Sequence, residues 1–202
     1  MSAPRRLAKE QPDSFEFTPE NLAWIDELLK KYPADKKRSG VIPILWRAQK
    51  QNGGWVTEPM MRVIGEMLEM AYIRVYEVAT FYTMFNLEPV GEYHLQLCGT
   101  TPCWLRGADQ LKNVCKKHIG PNGSRTDDGK LSWVEVECLG ACANAPMIQI
   151  NDYYFEDLDE ESLEEIIADI RKGVEVKPGS RRGRASSEPE GELSSLTDES
   201  IY

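Results

Sequence analysis

The sequence of 202 residues predicts a two-part α+β chain, in which an N-terminal four-helix bundle is followed by a compact α/β domain. Three observations carry that prediction. Between residues 17 and 86, apolar side chains recur at helical spacing in segments bounded by proline or glycine. After Pro89-Val90-Gly91 the period changes to the alternation of half-buried strands. Four of the five cysteines then fall in two close pairs, each just beyond a predicted strand.

Residues 1–16 are polar and aperiodic, which predicts a loose N-terminal arm. Thr18 before Pro19 and Glu20 reads as an N-cap followed by proline at the first helical position, with Leu22, Ile25, Leu28 and Leu29 as one apolar stripe. Tyr32-Pro33 stops this helix, because the residue before proline is pushed out of the α region. The second helix starts near Ser39, carries Val41, Ile42, Leu45 and Ala48, and ends at Asn52-Gly53-Gly54; Pro43 is tolerable only near its first turn. Thr57-Glu58-Pro59 opens a third, with Met60, Ile64, Met67 and Leu68 on its apolar face. The fourth carries Val75, Val78, Ala79, Tyr82 and Phe85. These helices make a bundle domain over 17–88.

The second domain is expected over 89–173. Tyr93, Leu95 and Leu97 alternate with polar neighbours as a strand, and a helix from about Trp104 to His118 follows. A polar turn rich in glycine and aspartate precedes a strand around Trp133 to Glu137, and two short strands lie near Met147 to Ile150 and Tyr153 to Phe155. A last helix shows Leu163, Ile166, Ile167 and Ile170 on one face. That order suggests an α/β sandwich of the thioredoxin kind. Residues 174–202 are rich in Arg, Ser, Glu, Gly and Pro and are expected to stay disordered.

A net charge of -9, with interspersed basic residues, argues against nucleic acid as a partner. No apolar run approaches the roughly eighteen residues that span a bilayer, so no direct membrane insertion is expected. The first residues lack the apolar core of a secretory signal, which predicts a bacterial cytoplasmic chain, or a processed chain of the mitochondrial matrix. An odd number of cysteines in such a setting points to metal or redox chemistry rather than disulfides.

Cys98 and Cys103 lie in CGTTPC, and Cys138 and Cys142 in CLGAC. Loops at strand ends can converge at one end of a sheet, where four thiolates would form a ligand set for a metal or an iron-sulfur cluster. Gly99 and Gly140 would let backbone amides approach the sulfurs, and hydrogen bonds from them would stabilise a buried anionic group. Spacing alone leaves zinc in a structural interaction module as a rival, although zinc favours tighter knuckles. Metal-free packed cysteines are the bland reading. A thiol-disulfide oxidoreductase would need C-x-x-C, and there is none.

Cys115, inside the long predicted helix, reads as a packed thiol, and His94 and His118 as structural or solvated side chains. Met60, Met61, Met67, Met70 and Met84 read as core or partner surface. Eight acidic residues lie between Glu156 and Asp169 without a basic one, which reads as a solvated helix face before it reads as a docking patch. There is no G-x-G-x-x-G after a strand, no P-loop and no visible catalytic triad. An electron centre without a substrate site exchanges electrons through partner polypeptides.

CGTTPCWLRGA, ECLGACANAPMIQIND and EVATFYTMF together make the chain resemble the 24-kDa subunits of respiratory complex I, which are thioredoxin-like [2Fe-2S] ferredoxins. The likeness runs from about Phe17 to Lys172 and includes all four cysteine positions. It implies one [2Fe-2S] cluster on Cys98, Cys103, Cys138 and Cys142, and no catalytic residue of the chain's own. It also implies electron exchange with FMN on a partner flavoprotein that binds NADH, within the NADH-dehydrogenase module of a quinone-reducing translocase at the inner face of the membrane. Similar subunits serve NAD-linked hydrogenases and formate dehydrogenases, and a free ferredoxin is a further alternative.

Overall fold

The computed structural model describes residues 5–189, and its contacts divide between Val90 and Gly91 into two units.

In the first unit, α1 spans Pro19–Leu29, α2 Val41–Gln51, α3 Glu58–Met67 and α4 Tyr72–Phe81. Thr18 and Thr57 cap α1 and α3 as expected, their hydroxyls accepting from the N–H groups of Asn21 and Met60. Each such cap is worth about 1 kcal/mol over alanine. The buried stripe of α1 differs from the expected one. Leu22 is exposed, and Asn21 is buried in its place because its Oδ1 accepts from Arg47 Nε of α2 at 2.6 Å. A polar pair between helices overrides simple periodicity here. The approach to α2 is also tighter than predicted, a 3-10 turn over Ala34–Gly40, where a Cβ on Gly40 would meet Leu29 Cδ2 at 3.0 Å. Ile25, Ile44, Leu45, Met60, Ile64, Val75 and Phe85 form the core, although Phe85 lies beyond the end of α4.

The loose arm expected over 1–16 is a correction as far as it is described. Arg5 donates to the carbonyls of Thr80 and Tyr82, each at 3.0 Å, and also to that of Phe85. Ala8 N–H donates to the Leu87 carbonyl at 2.9 Å. The end of α4 leaves carbonyls without helical partners, and a guanidinium satisfies several at once. Residues 1–4 of that expectation lie outside the described residues.

The second unit runs β1 Tyr93–Cys98, α5 Thr101–Leu105, α6 Ala108–His118, β2 Leu131–Val136, β3 Ile148–Ile150, β4 Tyr153–Glu156, α7 Glu160–Lys172 and β5 Gly179–Ser180. The strands order as β2-β1-β3-β4-β5 in one sheet. β1 is parallel to β2 and antiparallel to β3, β3 is antiparallel to β4, and β5 is parallel to β4. The single helix expected from Trp104 to His118 is two helices, because Gly107 takes a left-handed φ of 104° between them. Leu111, Val114 and Cys115 of α6 and Leu163, Ile166, Ile167 and Ile170 of α7 are buried with Leu95, Leu97 and Trp133. Each large side chain so buried contributes about 1.5–3 kcal/mol. The Trp133 indole is satisfied by the Gly120 carbonyl at 2.8 Å.

The segment 174–202, for which the sequence predicts disorder, behaves otherwise where it is described. Residues 174–189 turn back so that β5 pairs with β4, and the Arg184 side chain reaches the fully buried carboxylate of Asp157. Local composition could not announce this, since the carboxylate that Ser180 and Arg184 reach, Asp157, lies more than twenty positions away. Residues 190–202 lie outside the described residues.

Candidate metal centre

The sheet brings the cysteine loops together. Cys98 closes β1 opposite Val136, which closes the parallel β2, so both strands leave the sheet on the same edge. β3 runs the other way and therefore starts at that edge, where the Cys98 N–H donates to the Met147 carbonyl at 3.4 Å. The loop carrying Cys138 and the 3-10 turn Cys142–Asn144 connects β2 to β3 across this edge. Cys103 sits in the first turn of α5, behind Pro102.

The four thiols form an inner and an outer pair. Cys98 and Cys103 are each 1% exposed. Cys138 and Cys142 are exposed, with their Sγ atoms 3.4 Å apart. A tetrahedral metal with bonds of about 2.3 Å to sulfur places two thiolates about 3.7 Å apart, so this pair stands close to the separation one metal ion requires. Among the described residues, no three His, Cys, Asp or Glu side chains close on a single point. The donor set, two sulfur pairs without histidine, fits a two-iron cluster, for which all-cysteine ligation is the common arrangement.

Polar groups around the sulfurs favour thiolates selectively. Burial pushes the Cys98 thiol up, but the Thr100 hydroxyl and N–H, the Leu139 N–H and the Cys103 thiol together hold it below its ordinary value. Burial and then the neighbouring Cys98 push Cys103 up to about 12. The Gly140 N–H, 3.4 Å from its sulfur, and then Cys142 lower Cys138, while Cys142 is raised chiefly by its hydrogen bond with Cys138. The surrounding donors thus favour the thiolate at Cys98 and Cys138, while burial and the neighbouring sulfur work against it at Cys103 and Cys142.

Of the two glycine amides expected to face sulfur, Gly140 does so and Gly99 does not. Gly99 N–H donates to the Val136 carbonyl at 3.2 Å. A Cβ at position 99 would fall 2.0 Å from Glu135 Oε1, so any larger residue there would have to displace the Glu135 side chain. Sequence reasoning missed Thr100. It occupies the N-cap position of α5 but makes no cap, and its hydroxyl lies 3.3 Å from the Cys98 sulfur. The Thr-Thr-Pro signal was visible, and only its direction was not. Tyr154 was also missed; its hydroxyl donates to the Leu139 carbonyl at 2.8 Å and steadies the outer loop from β4.

The remaining candidates stand apart from the centre. Cys115 is buried in α6, where burial pushes its thiol to about 12. His94 is buried beside Ser132 Oγ at 2.8 Å, and His118 contacts Glu164 at 2.5 Å. The acidic run is not one solvated face, since Asp157 is internal and Glu164 pairs with Lys117 at 2.7 Å.

Comparison with known proteins matches residues 25–171 to the family described as thioredoxin-like [2Fe-2S] ferredoxin. The chain is 53% identical over 159 residues to the NADH-quinone oxidoreductase E subunit of Rickettsia bellii, a match covering 78% of this chain and 95% of that one. It is 52% identical over 198 residues to an NADH-quinone oxidoreductase E subunit of Rhizobium meliloti, covering 95% and 72% respectively. Among solved structures, NAD+-reducing [NiFe]-hydrogenase in the air-oxidised state aligns with a TM-score of 0.58 at 20% identity. That likeness is one of fold, covering 67% of this chain and 23% of the hydrogenase chain.

Proposed function

Since the chain belongs to the thioredoxin-like [2Fe-2S] ferredoxin family, we propose that it is the electron-transfer subunit of an NADH-quinone oxidoreductase. The observation that carries this reading is identity above one half with the Rickettsia bellii protein across 95% of its length. In this reading Cys98, Cys103, Cys138 and Cys142 would hold the cluster. When bound, the cluster supplies a one-electron reservoir.

The chain's own residues do the rest. The inner pair is shielded from water, which disfavours added charge on that side. The Gly140 and Leu139 N–H groups and the Thr100 hydroxyl stabilise negative charge on sulfur, which raises the potential relative to bare thiolates. The exposed outer pair gives an electron a short route to a partner. That partner is a flavoprotein carrying FMN and oxidising NADH, and the four helices before Val90 act as the bundle that fastens the chain to it. Among the described residues no helix is long and apolar enough to cross a membrane; attachment at the inner membrane face comes through the other subunits.

The test is electron paramagnetic resonance of the dithionite-reduced full chain, with iron and acid-labile sulfide assayed beside it. A rhombic or axial signal of one unpaired spin per chain with two irons and two sulfides is expected, lost in Cys98→Ser and in Cys138→Ser. A colourless protein holding zinc would overturn the reading. Co-purification with a flavoprotein tests the partner.

A further inference from the structure

The two residues after Cys142 are tied down from outside their own loop. Asp157 N–H donates to the Asn144 carbonyl at 2.8 Å. Arg184 Nη2 donates to the Ala143 carbonyl at 2.9 Å, and Asn144 Nδ2 donates to the Ser186 carbonyl at 2.6 Å. Two of these three bonds come from chain beyond residue 171, where the family match ends.

The anchor for that chain is built to be rigid. Arg184 is nine-tenths buried and Asp157 wholly so. Arg184 Nε donates to Asp157 Oδ2 at 2.9 Å, Nη2 donates to Oδ1 as well as to Ala143, and Nη1 donates to the Glu188 carbonyl at 2.9 Å. Ser180 of β5 donates to the same carboxylate at 2.5 Å. A guanidinium is planar and presents its donors in a fixed fork, so holding it against Asp157 fixes where the Ala143 carbonyl must lie.

We propose that residues 179–188 form a strap in which Arg184 positions the Cys142–Asn144 turn, and with it the outer pair of cluster-binding thiols. The inference rests on the ligand assignment above. Arg184 is a positioning residue that never touches the cluster. Its effect is on how often the turn opens, because the outer sulfurs are exposed and any opening admits solvent and competing ligands. A lysine would keep the positive charge beside Asp157 but could not also span to the Ala143 carbonyl.

The experiment uses the full chain with its cluster bound, and compares Arg184→Ala, Arg184→Lys and the double variant Asp157→Asn/Arg184→Ala. Loss of visible absorption in excess EDTA gives the release rate, amide hydrogen exchange over residues 142–145 gives the opening of the turn, and circular dichroism checks the fold. Release about tenfold faster, with faster exchange at the turn, is expected in all three variants, the scale set by losing one charged hydrogen bond to the loop. The double variant removes the stranded carboxylate. If it returned to the native rate, the single variant's effect would belong to buried charge and the strap would be refuted. Native behaviour of Arg184→Lys would refute the fork to Ala143, and native behaviour of Arg184→Ala would refute the whole proposal. Full iron content in Cys138→Ser would instead sink the ligand assignment, independently of the Arg184 results.

Discussion

His94 offers a quantitative test of the second unit's core. Its ring is buried on β1 with Nδ1 against Ser132 Oγ at 2.8 Å, while Nε2 has no protein partner among the described residues. Burial lowers its pKa from 6.5 to about 4. The native ring is therefore neutral where the unfolded ring is already protonated, so the unfolded state binds more protons between these values. Stability is complete above pH 6.5 and is lost progressively as pH falls toward 4. At 1.36 kcal/mol per unit the full loss is about 3 kcal/mol, of which about 2 kcal/mol is gone by pH 5. The perturbation is His94→Gln, which keeps a polar group near Ser132 and removes the titration. Unfolding releases the cluster, so urea midpoints of the two proteins are measured under identical conditions at pH 7.5 and pH 5, and only their difference is read. The native chain is expected to lose about 2 kcal/mol more than the variant over that interval. The depressed carboxylates Asp109, Asp128, Asp157, Asp159 and Glu164 lose their contributions lower, as pH falls below their unfolded values, and they cancel in the comparison. Parallel pH dependence in the two proteins would refute the argument that burial keeps His94 neutral.

Cys115→Ala removes one sulfur from the α6 core and should cost about 1 kcal/mol, read as a lower melting temperature. The visible spectrum and iron content are expected to stay native, and their loss would show that the ligand set was wrongly drawn. Gly99→Ala drives a methyl group into Glu135 and away from its 2.8 Å ion pair with Lys112, at a cost of about 1–3 kcal/mol. Adding Glu135→Ala should restore most of that stability in a double-mutant cycle, and strict additivity would mean the clash is not the cause.

Much of the site was legible before any coordinates. Two thiol pairs just past strands, with glycine beside each, required only that β1 and β2 be parallel for the loops to meet. The paired caps Thr18 and Thr57 likewise declared their helices. What stayed hidden was long-range and polar. Asn21 displaces Leu22 from the core because Arg47 waits on another helix, and the break at Gly107 depends on a backbone conformation that periodicity does not record. Residues 174–189 looked too polar to fold. A buried ion pair needs only two such residues, and which two meet is decided by the path of the chain between them.

The same path sets a timetable for loading iron. Cys98 and Cys103 leave the ribosome well ahead of Cys138 and Cys142, and Arg184 follows all four. On the proposed ligand set and strap, a nascent chain offers half a nest, then a whole but unlatched one, and a messenger cut short after α7 is expected to yield a protein that accepts its metal yet gives it up readily.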